Sequence, residues 1–125
     1  MAAHGHFHWM ELNTREREKA KAFYGAALGW TFEDVPMGGG APYVVCKAGG
    51  DMVAGFFTME GEGFDGVPEH WFVHIAVDDV DRRVDMAKAA GGTVVREPWD
   101  IEGVGRVAIV KDSSGAVSGW ITPSA

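Results

Sequence analysis

The chain has 125 residues, is 46% hydrophobic and 23% charged, and carries a net charge of −7, the make-up of one soluble globular domain rather than of a disordered chain. That acidity argues against counterion-releasing binding to nucleic acid. No apolar run approaches the ~20 residues of a membrane-spanning helix, so neither nucleic acid nor a membrane is an expected partner. Cys46 stands alone, which leaves no intrachain disulfide or Cys-x-x-Cys metal site, and with no secretory leader pattern at the amino terminus the expected location is the cytoplasm.

In chain order, His4, His6 and His8 alternate and would share one face of an extended segment. A free amine at Ala2, followed by Ala3 and His4, is a second nitrogen pattern for Cu(II) or Ni(II), and such binding would be adventitious. A strand-like run from Trp9 leads to Asn13, three residues before Glu16, which reads as a capping-box-like helix start. Ala20, Phe23, Tyr24, Ala27 and Leu28 recur at helical spacing as one apolar face, and Gly29 supplies the stop. A second strand follows the helix. Residues 36–42, with Gly38-Gly39-Gly40, read as a loop that could act as a lid; the lysine and helix of a phosphate-binding loop do not follow it. Strands are predicted over 43–47 and 51–59, joined through Gly49-Gly50-Asp51, and Cys46 in this apolar setting reads as an inert thiol.

Residues 61–69 form a linker, and His70 at its end reads as structural. From Phe72 the same order of elements returns. Asp78 and Asp81 occupy the helix start, Val80, Val84 and Ala87 form its stripe, and Gly91-Gly92 end it. Trp99 precedes the third strand of this half in the run PWDIEGVGR. Strands over 106–111 and 116–122 close the chain around the turn Asp112-Ser113-Ser114-Gly115. The correspondence is a true repeat: Trp9 and Phe72, like Gly29 and Gly92, are 63 apart, and Lys47 and Lys111, like Gly55 and Gly119, are 64 apart. The expected fold is therefore α+β: two tandem βαβββ modules, about 6–60 and about 70–122, within one domain spanning 1–125. One helix covers one sheet face per module, so the uncovered faces are expected to form a curved, partly closed, mixed-sheet cleft with the helices outside.

The paired modules, the phrase FYGAALGW at 23–30 and the run HIAVDDV at 74–80 ending in Gly91-Gly92 resemble the vicinal oxygen chelate superfamily, which includes glyoxalase I, bleomycin-resistance proteins and extradiol dioxygenases. The resemblance covers about residues 6 to 122. It implies that metal-dependent members carry a His or Glu in the first and last strand of each module. Anchored on the helix motifs, those positions are Trp9, Gly55, Phe72 and Gly119, none of which can bind a metal. A shift of two residues keeps the face and puts Glu11, Phe57, His74 and Ile121 there, at most two ligands where a catalytic ion generally has about three. The resemblance is thus to a branch without the usual ligands, and neither a metal nor another cofactor is expected.

Alternation puts Glu11 and His74 on the same faces as Trp9 and Phe72. A carboxylate beside an imidazole makes a general acid or base near neutral pH, or simply a polar core pair. Trp9, Asn13, Phe57, Phe72 and Trp99 are the candidate binding residues, as aromatic walls with a few polar groups; the rings could equally fill the core. Phe56 and Trp120 fall on the helix-facing side. The favoured function is binding of a small organic molecule in an aromatic cleft, glyoxalase-like or of the bleomycin-resistance kind, and the acidic balance favours a cationic ligand. The alternatives are a metal-free isomerase or lyase using Glu11 and His74, and a metal-dependent glyoxalase- or dioxygenase-like enzyme. Modules that pair within the chain and modules exchanged in a homodimer both remain open.

Overall fold

The computed structural model describes residues 3–124. The elements run β1 (Phe7–Thr14), α1 (Arg17–Leu28), β2 (Thr31–Val35), β3 (Tyr43–Ala48) and β4 (Asp51–Thr58), then a short 3-10 turn at Glu62–Phe64. They continue as β5 (His70–Ala76), α2 (Val80–Ala89), β6 (Thr93–Ile101), β7 (Gly105–Lys111) and β8 (Val117–Pro123). This is the α+β class with the βαβββ order occurring twice, as the repeat predicts. The chain divides into two compact units, residues 9–71 and residues 72–125 together with 1–8.

In the unit of residues 9–71 the strand order is β2-β3-β4-β1. β1 and β4 are parallel, with Glu11 opposite Gly55 and Asn13 opposite Phe57, and the other pairs are antiparallel. The turn between β3 and β4 needs two consecutive residues with positive φ, and Gly49 (58°) and Gly50 (90°) supply them. Leu12, Val44, Cys46, Ala54 and Phe56 form the core, packed against Met10, Ala20, Tyr24, Trp30 and Phe32. Alternation therefore turns Trp9, Glu11, Tyr43, Gly55 and Phe57 to the sheet face away from α1.

The helix α1 departs from its sequence prediction in two ways. β1 continues through Thr14, so Asn13 is a buried strand residue and not a cap. Glu16 is the N-cap without a side-chain bond, and Thr14 Oγ1 instead accepts the Glu16 N–H at 3.0 Å. The apolar face also splits. Phe23 is 64% and Leu28 58% exposed, while Tyr24 stacks on Trp30 at 5.3 Å, meets Phe56 at 6.0 Å and accepts the Trp71 indole N–H at 3.1 Å. Of the predicted stripe, Ala20 and Tyr24 pack against the core.

In the unit of residues 72–125 and 1–8 the order is β5-β8-β7-β6, with β5 and β8 parallel and His74 opposite Gly119. Here the helix stripe holds as predicted: Val80, Val84 and Ala87 are buried with Val77, Ala108 and Val110, and Trp120 packs against them. The cap is Asp79, which accepts the Arg82 N–H at 3.1 Å, and not Asp78 or Asp81. Those two carboxylates pair instead with Arg83 and Arg106. The segment before Trp9 is anchored in this unit: Gly5 N–H bonds to the Ala76 carbonyl, the Ala76 N–H bonds to the His6 carbonyl, and His4 Nδ1 accepts the Asp78 N–H. Ala2 of the Ala2-Ala3-His4 pattern lies outside the described residues.

Candidate functional site

The face of the 9–71 unit away from α1 carries a polar relay built around Tyr43, the first residue of β3. Trp9 Nε1 donates to the Tyr43 hydroxyl at 2.8 Å, and that hydroxyl donates to Glu11 Oε2 at 2.8 Å. Gly55 makes this possible. A Cβ at position 55 would overlap the Tyr43 hydroxyl and ring, so the ring lies over the strand in the space that a side chain would fill. Burial raises the Tyr43 pKa, and the neighbouring Glu11 charge adds to it. Tyr43 therefore stays a neutral phenol whose proton points at Glu11.

Beside this relay a cavity of about 290 Å³ is lined by Met37, Gly40, Ala41, Pro42, Tyr43, Phe57, Thr58 and Glu60. Phe57 is 39% exposed and meets Phe64 at 5.9 Å. The predicted loop of 36–42 thus supplies part of the cavity wall. It is tied by the Ala41 N–H, which Glu60 Oε1 accepts at 3.3 Å. Asn13 Nδ2 lies 3.3 Å from His70 Nε2, and His70 Nδ1 lies 2.8 Å from the Pro68 carbonyl oxygen. The linker is further held by Glu69, which accepts from the Arg15 N–H, the Arg15 guanidinium and the Thr14 hydroxyl. These bonds pull the Glu69 pKa below the usual carboxylate range, the Arg15 backbone N–H most of all.

In the other unit, Phe72 and His74 meet edge to face at 5.1 Å. Gly119 plays the part of Gly55: a Cβ there would overlap the His74 imidazole and press on Phe72 at 3.0 Å. Both last-strand glycines therefore seat a ring, Tyr43 in one unit and His74 in the other. Trp99, expected ahead of the third strand of this half, lies inside β6, paired with Val107, with the Arg96 guanidinium stacked on its ring at 3.6 Å. Register shifts between Val94 and Arg96 and between Arg96 and Trp99 let the strand run through Pro98.

The structure thus brings Trp9 and Glu11 together through Tyr43, which the sequence prediction passed over, and puts Phe57 in the cavity wall. Phe72 and His74 meet in the other unit, where Trp99 carries the Arg96 guanidinium. Glu11 and His74 belong to different units. Phe56 and Cys46 are buried on the helix side as expected, and burial pushes the Cys46 thiol up to about 12. Among the described residues no three His, Cys, Asp or Glu side chains gather as a group that could hold a metal ion. No helix among them is long and apolar enough to cross a membrane.

Residues 6–117 match the family model described as the Glyoxalase/Bleomycin resistance protein/Dioxygenase superfamily. The chain is 43% identical over 116 residues, 93% of its length, to "Putative glyoxylase CFP32" of Mycobacterium tuberculosis, and covers 43% of that protein. It is 31% identical over 119 residues to the anthracycline biosynthesis protein DnrV of Streptomyces peucetius, covering 86% of this chain and 43% of that one. The chain therefore spans less than half the length of these curated relatives. Among solved structures it is similar to a variant of Streptomyces coelicolor methylmalonyl-CoA epimerase in complex with 2-nitronate-propionyl-CoA. The TM-score is 0.67 at 16% identity, covering 98% of this chain and all of that one, a likeness of fold.

Proposed function

Since the chain belongs to the glyoxalase/bleomycin resistance protein/dioxygenase superfamily, we propose that it binds a small organic molecule on the sheet face that carries Trp9, Glu11, Tyr43 and Phe57, without a catalytic metal. The observation that carries this reading is the pair of ring-seating glycines. The resemblance implies metal ligands in the last strands, and a His or Glu at Gly55 or Gly119 would need the volume that Tyr43 or His74 fills. The residues present do not fit that ligand set. What they offer in its place is a cavity with aromatic and aliphatic walls and the Glu60 carboxylate in its lining, the usual composition of a small-molecule site. Phe72, His74, Asn13 and Trp99 are assigned to the same binding role. The two modules act as one domain in the cytoplasm, with a homodimer as the assembly. The buried, lone Cys46 thiol supports a reducing compartment.

A screen of ring-sized organic compounds by two-dimensional amide NMR tests this. True ligands are expected to shift the Trp9 indole and the Tyr43 and Phe57 amides, and to lose affinity in Trp9→Ala. Ligands that leave all three resonances unmoved would overturn the assignment.

A second reading is favoured by the matching registers, Glu11 opposite Gly55 and His74 opposite Gly119. In it the two side chains act as an acid–base pair on a bound carbonyl-type substrate, in an isomerase or lyase reaction. Tyr43 would orient the Glu11 carboxylate through the 2.8 Å bond. His74→Ala should then lower turnover of an identified substrate by ~100-fold or more, and unchanged turnover would remove His74 from the chemistry.

A further inference from the structure

The polar groups around the 290 Å³ cavity lean toward acceptors, although the buried Thr58 hydroxyl, which has no hydrogen-bond partner among the described residues, can donate as well as accept. Its lining holds no lysine, arginine or histidine. The Tyr43 hydroxyl donates its hydrogen bond to Glu11 and accepts the Trp9 indole N–H with one lone pair, so it offers the cavity only acceptor capacity. The Ala41 N–H, which could have met an anion, is taken by Glu60. Glu60 is itself an acceptor with lone pairs beyond that single bond. Four of the five basic side chains of the same unit lie against carboxylates outside this lining: Arg15 at Glu69, Arg17 at Glu18, Lys21 at Asp34 and Lys47 at Glu33. The rings of Tyr43 and Phe57 add π-faces, which attract cations, and the net charge of −7 raises the local concentration of cationic ligands.

Resting on the binding reading above, we propose that this cavity takes the amine-bearing end of a small organic cation, with the ammonium at Glu60 and the carbon skeleton against Tyr43, Phe57 and Met37, and that it rejects anionic acyl esters. The volume suits one ring or a short branched chain, at the lower end of the ~300–1,000 Å³ typical of small-molecule sites. An acyl-CoA of the kind held by the fold-related epimerase carries phosphates, and the arginines and lysines that recognise phosphates are missing from this lining.

Four probes decide the matter: benzylammonium, benzyl alcohol, benzoate and propionyl-CoA, each titrated into the full chain at low ionic strength, with the Tyr43 and Phe57 amides read by NMR. Benzylammonium is expected to bind about 5-fold or more tighter than benzyl alcohol, the size of one partly screened charge pair, and benzoate and propionyl-CoA weaker than both. In Glu60→Gln, whose amide oxygen can still accept the Ala41 N–H, the ratio of benzylammonium to benzyl alcohol affinity should fall to about one. Were that variant not to fold, the rank order in the native chain decides alone. Tighter binding of benzoate or propionyl-CoA, or a cation preference that survives Glu60→Gln, would overturn the ligand class while leaving the site a small-molecule site. If no probe moves Tyr43 or Phe57, the binding reading falls and this inference with it.

Discussion

In the 9–71 unit the helix side of the sheet is packed largely with rings, Tyr24, Trp30, Phe32 and Phe56, and no described residue of α1 is fully buried. In the other unit the helix contributes a closed aliphatic stripe, Val80, Val84 and Ala87, and its N-terminus is capped by Asp79. Topology and the register of the parallel pairs are shared; the packing materials are not. The second helix is fastened by itself, through its own stripe and cap. The first is fastened by Ala20 and Tyr24 and by the Lys21–Asp34 ion pair, and its unit places its polar relay and cavity on the opposite sheet face. A repeat therefore predicts where chains run more surely than it predicts which module carries a polar relay and a cavity.

The sharpest way to break this comparison is at the glycine seats. Gly55→Val should force the Tyr43 ring off the strand, overpack the face and cost the relay its two hydrogen bonds. A loss of about 3 kcal/mol in urea unfolding is expected. Adding Tyr43→Ala to that variant should recover part of the loss, because the clash partner is gone; a purely additive result would mean that the ring does not depend on Gly55.

The helix comparison comes next. Val84→Ala removes two buried methyl groups and should cost about 2 kcal/mol, whereas Phe23→Ala, at a mostly exposed position, should fall within about 0.5 kcal/mol of the native chain. Equal losses would erase the distinction between the helices. At the caps, Asp79→Ala should cost about 1 kcal/mol and Glu16→Ala a few tenths at most, again by urea unfolding.

The smallest effect concerns acid. Arg83 holds Asp78, and Arg106 holds Asp81, below the ordinary carboxylate range, and the Arg15 N–H does the same for Glu69. A carboxylate lowered on folding stabilises the protein above its unfolded pKa, 3.8 for Asp and 4.5 for Glu here, and that contribution fades as pH falls toward the folded value. Stability should therefore slope downward below about pH 4.5. Asp78→Asn should flatten the slope, as read by thermal melts from pH 6 to pH 3, and an unchanged slope would assign the acid response to other groups.

Much of this was legible in the sequence, because the signals were either periodic or steric. The offsets of 63 and 64 place both copies of the βαβββ order, and Val80, Val84 and Ala87 sit where helical spacing puts them. Phe23 and Leu28 misled because periodicity identifies a face, while Tyr24 and Trp30 had already filled the available volume. Asn13 has the spacing of a cap, yet pairing with Phe57 holds it in β1. Trp99 reads in the sequence as lying ahead of a strand, and the shifted register of β6 carries that strand through Pro98 to include it. Tyr43 was missed as an ordinary strand residue, although a signal existed: a glycine inside a strand, such as Gly55, marks the close approach of another group.

The central claim is that Gly55 and Gly119 seat rings where a metal-binding relative would need ligands. Its most direct test is calorimetric titration of Zn(II) and Mn(II) into chelator-treated protein, compared with a Glu11→Gln, His74→Ala double variant. The account predicts that whatever binds belongs to the amino-terminal histidines and is the same in both proteins. One equivalent of metal bound by the native chain and lost in the variant would contradict it.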